Sequence, residues 1–305
     1  MKNTYGVNNK NSKSLEALTV SERLKAGGKV FSVEFFPPAI WWKEQQEKLF
    51  HNAKGLKPFQ PDFVFVADLD GSVFEEAATF FKKFKAATGG ELVVHLAGAK
   101  YSRNEIVKIC ARLKAMGIKN IFAIRGDMNK PKSRAPGHDY RHAIQLITEL
   151  KKIGGFSIGG ACYPEKHPDA PTLEKDIDRL KEKVDAGAEY LVTQCFFDNS
   201  CYFRFLEKTT AAGINVPILP GLMSIETYLR WMREGEKIEI AVPKALKLGI
   251  ERYKNNRMGL LNFSANYALT QATELLKGGA PGVNVFTRNF TPVAEVILKK
   301  FKGRQ

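Results

Sequence analysis

The stretch Val33-Glu34-Phe35-Phe36-Pro37-Pro38 ends an apolar run that begins at Val30. The β-branched and aromatic residues of this run predict a β-strand, and the two prolines predict its end because proline lacks the N–H that a sheet requires. Glu34 is the only charged residue in the run. Burial would raise the pKa of its carboxyl, and a carboxyl that stays protonated near neutral pH can act as a general acid. An edge strand that exposes Glu34 to water is the alternative left open by the motif alone.

Similar runs recur along the chain at intervals of about 30 to 35 residues. Their continuous apolar character, without strict alternation, is typical of parallel strands that are covered on both faces. The predicted strands are Val30–Phe36, Asp62–Ala67, Glu91–Ala97, Asn120–Ile124, Phe156–Cys162, Glu189–Cys195, Asn215–Pro220 and Gly282–Thr287.

The segments between these runs have the apolar periodicity of helices, and several end at a glycine that can form a left-handed cap. The predicted helices are Trp41–Leu56, Ser72–Thr88, Arg103–Met116, Tyr140–Ile153, Leu173–Ala188, Ser200–Ala212, Ile225–Arg233, Pro243–Asn255, Ala265–Leu276 and Thr291–Lys302. Strands that alternate with helices in this way predict an α/β fold, a single-domain (β/α)8 TIM barrel. An open doubly wound sheet is disfavoured because no glycine-rich phosphate loop follows any strand.

The 305 residues divide into a predicted disordered N-terminal arm at 1–14 and a catalytic barrel at 15–305. No apolar run approaches the roughly 18 residues of a membrane helix, and the N-terminus lacks the apolar segment of a secretory signal. We therefore expect a cytoplasmic protein that does not enter membranes. The four cysteines form no CxxC pair and the five histidines show no metal-ligand spacing, so neither a disulfide framework nor a metal site is expected.

The net charge of +15 is large and suggests an anionic partner. The lysines are spread over predicted helix faces, and no basic motif interleaved with aromatic residues appears. An anionic small ligand or cofactor is therefore favoured over nucleic acid.

In a (β/α)8 barrel the active site forms at the carboxyl ends of the strands. Ionisable or hydrogen-bonding residues occur at most of these ends, so we expect them to meet at one mouth. This placement favours the functional interpretation of the strand-one carboxylate. The residues in question include Glu34, His95, Arg125, Gly126, Asp127, Tyr163, His167, Gln194 and Arg288.

Several of these positions lie in longer motifs, which match a known family in order and spacing from about residue 28 onward. The motifs resemble those of methylenetetrahydrofolate reductases, flavoenzymes of folate one-carbon metabolism and methionine biosynthesis whose catalytic domain is a (β/α)8 barrel that holds FAD. They are Val33-Glu34-Phe35-Phe36-Pro37-Pro38, Ala123-Ile124-Arg125-Gly126-Asp127, Tyr163-Pro164-Glu165-Lys166-His167-Pro168, Lys181-Glu182-Lys183-Val184-Asp185-Ala186-Gly187-Ala188 and Thr193-Gln194-Cys195-Phe196-Phe197-Asp198.

The resemblance implies a hydride-transfer reaction. NADH or NADPH would reduce the flavin, which would in turn reduce 5,10-methylenetetrahydrofolate to 5-methyltetrahydrofolate. Glu34 matches the family's general acid, and Asp127 matches a carboxylate that tunes the flavin and helps to bind the pterin. Gln194 matches a folate contact. Positions that line the family's flavin site are matched by His95, Arg125, Gly126, Tyr140, Tyr163, His167, Asp176 and Lys183.

The chain departs from the family pattern mainly on the substrate side. Ala67 and Ala97 stand where the family has threonine, and Arg230 stands where it has a folate-contacting glutamine. The end of strand eight is Thr287-Arg288-Asn289-Phe290 in place of Thr-Leu-Asn-Arg. Arg288 is therefore predicted as a substrate contact that offers a cation to the folate glutamate tail.

Several functions remain open at this stage. The protein could be a divergent reductase with its own electron donor or partner electron-transfer subunit, or a paralogue that acts on a related pterin. It could also be a folate- or flavin-binding subunit without turnover in a methyl-transfer complex. A barrel resembling proline dehydrogenase is disfavoured by the motifs. Whether the chain forms a homo-oligomer cannot be deduced from its sequence.

Overall fold

The computed structural model describes residues 18–38, 43–67, 74–126, 139–234 and 240–303. The predicted arm at residues 1–14 lies outside these ranges. So does Asp127, the carboxylate that the resemblance places beside the flavin.

Eight parallel strands close into a barrel in chain order, and the first strand pairs with the last. The predicted (β/α)8 fold is therefore confirmed. The strands are β1 (Val30–Phe35), β2 (Phe63–Val66), β3 (Glu91–Ala97), β4 (Asn120–Ile124), β5 (Ser157–Cys162), β6 (Tyr190–Cys195), β7 (Ile218–Met223) and β8 (Gly282–Phe286).

Helices alternate with the strands along the chain, with α1 before β1 and α11 after β8. They are α1 (Val20–Lys25), α2 (Lys43–Leu56), α3 (Phe74–Thr88), α4 (Arg103–Ala115), α5 (Ala143–Ile153), α6 (Leu173–Asp185), α7 (Asn199–Ala211), α8 (Ile225–Arg233), α9 (Lys244–Tyr253), α10 (Arg257–Lys277) and α11 (Pro292–Lys302).

Two elements differ clearly from the sequence-based prediction. Strand β7 begins and ends three residues later than predicted, because its Leu222 and Met223 pair with β8, while Pro217 just before it has no N–H to donate. Helix α10 begins at Arg257, eight residues before its predicted start. The Asn256 side chain caps it by accepting a hydrogen bond from the N–H of Gly259 at 2.9 Å.

The short helix α1, which sequence analysis did not predict, lies against the amino-terminal end of the barrel. The N–H of Val20 donates to Asn120 Oδ1 at 3.0 Å, and the N–H of Ser21 donates to Ser157 Oγ at 3.2 Å. Both acceptors are buried at the starts of β4 and β5. These contacts hold α1 against the amino-terminal end of the barrel, and the active site of such a fold forms at the opposite, carboxyl ends of the strands.

The barrel interior is filled by side chains from alternate strand positions and by two side chains from α1. Its apolar cluster consists of Val20, Leu24, Val30, Phe63, Phe65, Val93, Phe122, Tyr190, Val192 and Leu219. Tyr190 crosses to β5, where a Cβ on Gly159 would lie only 2.3 Å from its Cζ atom. Glycine at position 159 is thus what admits the tyrosine ring into the barrel.

Three predicted properties of the chain concern metals, disulfides and membranes. All four cysteines are buried and free. In the part of the chain that the structure describes, no three or more His, Cys, Asp or Glu side chains are grouped so as to hold a metal ion. Among the same residues, no helix combines the length and apolar character needed to cross a membrane.

Candidate active site

Glu34 lies near the carboxyl end of β1 and faces the barrel interior. Its neighbours Val33 and Phe35 pack in the outer core instead, as expected for alternating strand residues. The residue is 4% exposed, and burial raises the pKa of its carboxyl to about 8. Glu34 is therefore a protonated acid at neutral pH, and the edge-strand alternative is wrong.

The backbone of Glu34 is held by the neighbouring strand β8. Its carbonyl oxygen accepts hydrogen bonds from the Thr287 hydroxyl at 2.6 Å and from the Thr287 N–H at 3.2 Å. Both groups are buried. Sequence analysis noted Thr287 only as part of a motif, because a bond across the seam that closes the barrel has no local sequence signal.

His95 on β3 lies beside the Glu34 carboxyl. Its Nε2 lies 3.5 Å from Glu34 Oε2, although the geometry is not that of a hydrogen bond. Its ring packs against Phe65 and Phe122, with centroid distances of 5.9 and 4.9 Å. Burial lowers the pKa of His95 to about 3, so the two residues form a neutral acid–imidazole pair and not an ion pair.

The ends of β6 and β7 at the same mouth are paired irregularly. The strand register shifts between Val192 and Cys195, an irregularity that can redirect side chains near active sites. Half-buried Gln194 lies within this shift and accepts a hydrogen bond from the Cys195 N–H at 2.9 Å. The Cys195 thiol in turn lies 3.9 Å from Met223 Sδ.

A second group of predicted residues meets at the ends of β4 and β5. The rings of Tyr163 and His167 are in edge contact, with centroids 4.6 Å apart. The backbone N–H of His167 donates to Asp176 Oδ2 at 2.9 Å, which ties this loop to the first turn of α6. Arg125 forms a 2.8 Å ion pair with Asp169 at the exposed rim, a partner that sequence analysis did not identify.

Lys183 of α6 reaches the same region from behind β5. Its ammonium donates to the carbonyl oxygen of Ala161 at 2.6 Å, and burial lowers its pKa. Burial also raises the pKa of Tyr163 to about 12, so its phenol is neutral at physiological pH. Lysine has three N–H donors, so this contact leaves capacity for an anion.

Two further residues of the predicted flavin site are Gly126 and Tyr140. Gly126 follows β4 with a φ of +87°, and a Cβ there would lie 3.0 Å from the Ala97 methyl. Both facts favour glycine. Tyr140 is buried in the outer core, where its side chain packs against Gly98.

Arg288 lies just beyond β8, among residues from two other segments, the end of β1 and α8 with its C-cap. Its guanidinium is 5.6 Å from the Phe36 ring centroid and 5.4 Å from that of Trp231. It also forms a 2.6 Å ion pair with Glu234. Arg230 of α8 donates to the Arg288 carbonyl oxygen at 2.6 Å. These aromatic contacts were missed by sequence analysis because Phe36 follows β1 and Trp231 lies in α8, and the two are far apart in sequence.

Comparison with known proteins shows which family this chain belongs to. The sequence profile described as methylenetetrahydrofolate reductase matches residues 19–302. The chain belongs to the methylenetetrahydrofolate reductase family. The resemblance seen in the motifs is thereby confirmed, and the relatives that carry this name are oxidoreductases.

Two bacterial relatives match over most of their length. The 5,10-methylenetetrahydrofolate reductase of Salmonella typhimurium is 31% identical over 275 residues, which cover 90% of this chain and 91% of that protein. The Escherichia coli enzyme is 30% identical over 259 residues, covering 85% and 86%. Methylenetetrahydrofolate reductase (NADH) 1 of Arabidopsis thaliana is 28% identical over 286 residues, 89% of this chain but 48% of the plant protein.

A solved structure shares the fold at lower identity. It is an uncharacterized protein from Clostridium thermocellum that binds two copies of 5-methyl-5,6,7,8-tetrahydrofolic acid. The TM-score is 0.61 at 16% identity, and the match covers 93% of this chain and 99% of the other. At this identity, the match supports the barrel fold alone.

The residues of this site have the chemistry to hold a flavin dinucleotide. Arg125 and Lys183 are cations suited to phosphate, and Gly126 allows close backbone approach. The Tyr163 and His167 rings offer a stacking surface. His95 Nε2 is a buried polar atom without a hydrogen-bond partner among the described residues. This donor set suits an anionic ring-bearing cofactor, so the residues fit.

Proposed function

We propose that the protein reduces 5,10-methylenetetrahydrofolate to 5-methyltetrahydrofolate, with FAD as its cofactor and NADH or NADPH as the electron donor. The observation that carries this proposal is Glu34, a buried carboxyl that is protonated at neutral pH at the mouth of a barrel from this family. Protonation is what the first chemical step on this substrate requires.

The methylene carbon of the substrate bridges two nitrogens, N5 and N10. Glu34 donates its proton to N10, the carbon–N10 bond breaks with its electron pair going to N10, and an iminium cation remains at N5. The resulting Glu34 carboxylate lies in a buried site, where its attraction to this cation is stronger than in water. FAD, when bound and reduced, supplies the hydride that converts the methylene carbon to a methyl group.

His95 would assist by keeping the proton on Glu34. Because its own pKa is low, the imidazole stays neutral and adds no positive charge that would favour ionisation of the acid. The Phe65 and Phe122 rings beside it exclude water from this part of the mouth. The neutral imidazole thus helps to keep Glu34 protonated until the substrate binds.

The remaining site residues are proposed as binding groups. Arg125 and Lys183 neutralise the cofactor phosphates, Tyr163 and His167 stack against it, and Asp176 orients the His167 loop. Substrate contacts are assigned to Gln194 and Arg288. The full proposed FAD set comprises His95, Arg125, Gly126, Asp127, Tyr140, Tyr163, His167, Asp176 and Lys183.

Stopped-flow absorbance tests the two half-reactions separately. The first is reduction of the flavin by NADH or NADPH, and the second is its reoxidation by methylenetetrahydrofolate. The wild-type protein loaded with FAD should lose its visible flavin absorbance on mixing with NADH or NADPH and regain it on mixing with methylenetetrahydrofolate. The Glu34→Gln variant should retain the flavin spectrum and its reduction, while the second half-reaction slows by about 10²- to 10⁴-fold.

Glu207→Gln is the matched control, because Glu207 is an exposed carboxylate on α7. This control should behave as wild type. Wild-type turnover by Glu34→Gln with flavin bound would disprove the acid role. A bound flavin that neither nicotinamide donor bleaches would contradict the proposed donor and favour a subunit without its own turnover.

A further inference from the structure

Three polar side chains of α10 lie along one face of that helix. Ser264, Tyr267 and Gln271 follow the spacing i, i+3, i+7, which brings side chains to the same side of a helix. Ser264 and Gln271 are buried, and Tyr267 is half-buried. Each of the three makes a hydrogen bond to a main-chain group of another segment. We call them the α10 stripe.

Two bonds of the α10 stripe hold the loop that follows β6. Gln271 Nε2 donates to the carbonyl oxygen of Phe196 at 2.8 Å, and the Tyr267 hydroxyl donates to that of Phe197 at 2.6 Å. The rings of Tyr267 and Phe197 are also in edge contact, with centroids 6.3 Å apart. Both carbonyl groups come directly after the end of β6, which carries the proposed substrate contact Gln194.

The third bond holds the beginning of α8. The N–H of Ile225 donates to Ser264 Oγ at 2.9 Å, in a buried position. Ile225 also packs with Phe197 in a small apolar cluster. Further along α8, Arg230 donates to the carbonyl oxygen of Arg288 at 2.6 Å. The α10 stripe therefore joins the loop beside one proposed substrate contact to the helix that holds the other.

Gln271 is an unfavourable residue for packing at its position. It is followed on α10 by Ala272 and Leu275, which belong to the outer core. Its Oε1 is buried and has no hydrogen-bond partner among the described residues, which costs free energy. An apolar side chain of similar size would avoid this cost. Residues that break a packing rule in this way are expected at functional sites, and the bond to Phe196 is what Gln271 supplies.

We propose that Ser264, Tyr267 and Gln271 are positioning residues that set the distance between the two substrate contacts, Gln194 and Arg288. They act through the main chain of the β6 loop and of α8, not by touching the substrate. This inference rests on the proposed function, because that function assigns the two contacts to a folate.

The experiment measures folate affinity in variants that each remove one donor. Tyr267→Phe deletes only the hydroxyl, and Gln271→Met deletes the amide but keeps an unbranched side chain of similar size. Isothermal titration of the FAD-loaded protein with 5-methyltetrahydrofolate should give a Kd about three- to tenfold higher in each single variant, the range expected for one such hydrogen bond. The double variant should lose more than either. The Kd of FAD and the flavin spectrum should stay at their wild-type values.

Tyr202→Phe is the matched control for Tyr267→Phe. The Tyr202 hydroxyl also donates to a main-chain carbonyl oxygen, that of Ile218 at 2.7 Å, and the residue is fully buried. Ile218 begins β7, so this bond lies at the amino-terminal end of the barrel. The control should lose stability in thermal melting but keep the wild-type affinity for folate. The comparison separates positioning of the mouth from a general loss of stability.

Amide hydrogen exchange tests the α10 stripe without any ligand. In the double variant Tyr267→Phe/Gln271→Met, a peptide that covers residues 194–198 should exchange about tenfold faster than in the wild type, because two of its carbonyl groups are no longer held. The same peptide should exchange at the wild-type rate in Tyr202→Phe.

Three results would overturn the proposal. They are wild-type folate affinity in the double variant, an equal loss of folate affinity in Tyr202→Phe, and unchanged exchange of residues 194–198 in the double variant. A wild-type protein that binds FAD but no folate would instead contradict the proposed function. Hydrogen exchange would still show in that case whether the α10 stripe holds the loop, so the two failures are distinguishable.

Discussion

Glu34 and His95 show how burial sets protonation states in this barrel. Each is almost fully buried, and burial shifts their pKa values in opposite directions because it favours the neutral form of both. The acid therefore retains its proton above the pH at which an exposed glutamate would lose it. The imidazole remains neutral at pH values that would protonate an exposed histidine.

These shifts predict how stability depends on pH. Between about pH 4.5 and 6.5 the folded protein binds an extra proton at Glu34 and one fewer at His95, so the two effects cancel. From pH 6.5 to about 8 only the Glu34 effect remains, and stability falls as pH rises. The expected loss is about 2 kcal/mol, from ~1.4 kcal/mol per pH unit.

Urea unfolding of wild type and Glu34→Gln at a series of pH values checks this prediction. Glu34→Gln cannot titrate at this position, so its stability relative to wild type should increase across the upper window. Other titrating groups cancel in the comparison. Parallel profiles for the two proteins would show that Glu34 has an ordinary pKa.

At the scale of elements, Asn289 joins the loops after β1 and β8. Its side chain accepts from the Phe36 N–H at 2.9 Å and donates to the Phe36 carbonyl oxygen at 2.6 Å. Its own carbonyl oxygen accepts from Asn52 at 2.7 Å. Its φ of +68° is left-handed, a conformation that asparagine tolerates better than most residues. Asn289 thus extends the β1–β8 seam beside Glu34 and Arg288.

Replacing Asn289 should separate the contribution of its side-chain hydrogen bonds from the cost of its left-handed backbone conformation. Asn289→Ala loses the side-chain hydrogen bonds and places alanine at positive φ, so we expect a loss of about 2–3 kcal/mol. Asn289→Gly loses the same bonds without the backbone strain and should be about 1 kcal/mol more stable than the alanine variant. Denaturant unfolding measures both, and equal stability of the two variants would show that the backbone strain is negligible.

At the scale of the whole molecule, the packing of the barrel interior depends on a large side chain that lies opposite a glycine. Tyr190 fills the space beside Gly159, and a Cβ at position 159 would lie 2.3 to 2.6 Å from three atoms of the tyrosine ring and hydroxyl. Both residues lie on neighbouring strands, in the register Gly159↔Tyr190. Either the ring or the strands must therefore move to admit a methyl group.

Gly159→Ala should destabilise the protein by about 1–3 kcal/mol, the usual cost of overpacking a core. Gly28→Ala is the control, because the nearest atom to a Cβ there is at 3.4 Å. The double variant Gly159→Ala/Tyr190→Leu should lose less stability than the sum of its single variants, since leucine leaves room for the methyl group. Strict additivity in thermal or denaturant unfolding would contradict this account.

Much of the fold could be predicted because the decisive signals are local. Strands β3 and β4 have the predicted bounds, since each is an apolar run that ends at polar or glycine-rich residues. The later position of β7 could not be predicted, because pairing with β8 decides where it ends. Helix α1 has a local signal in the Thr19–Glu22 capping box, but it was missed because six residues are too few to show helical periodicity.

The amino-acid sequence by itself determined the alternation of strands and helices, the carboxylate within the first strand and the motifs of the family. These are periodic or contiguous features that one segment carries alone. Only the tertiary structure decided that Glu34 and His95 form a neutral pair and that Arg288 lies between Phe36 and Trp231. Burial and charge proximity are properties of groups brought together from distant segments, and closing the barrel is what brings them together.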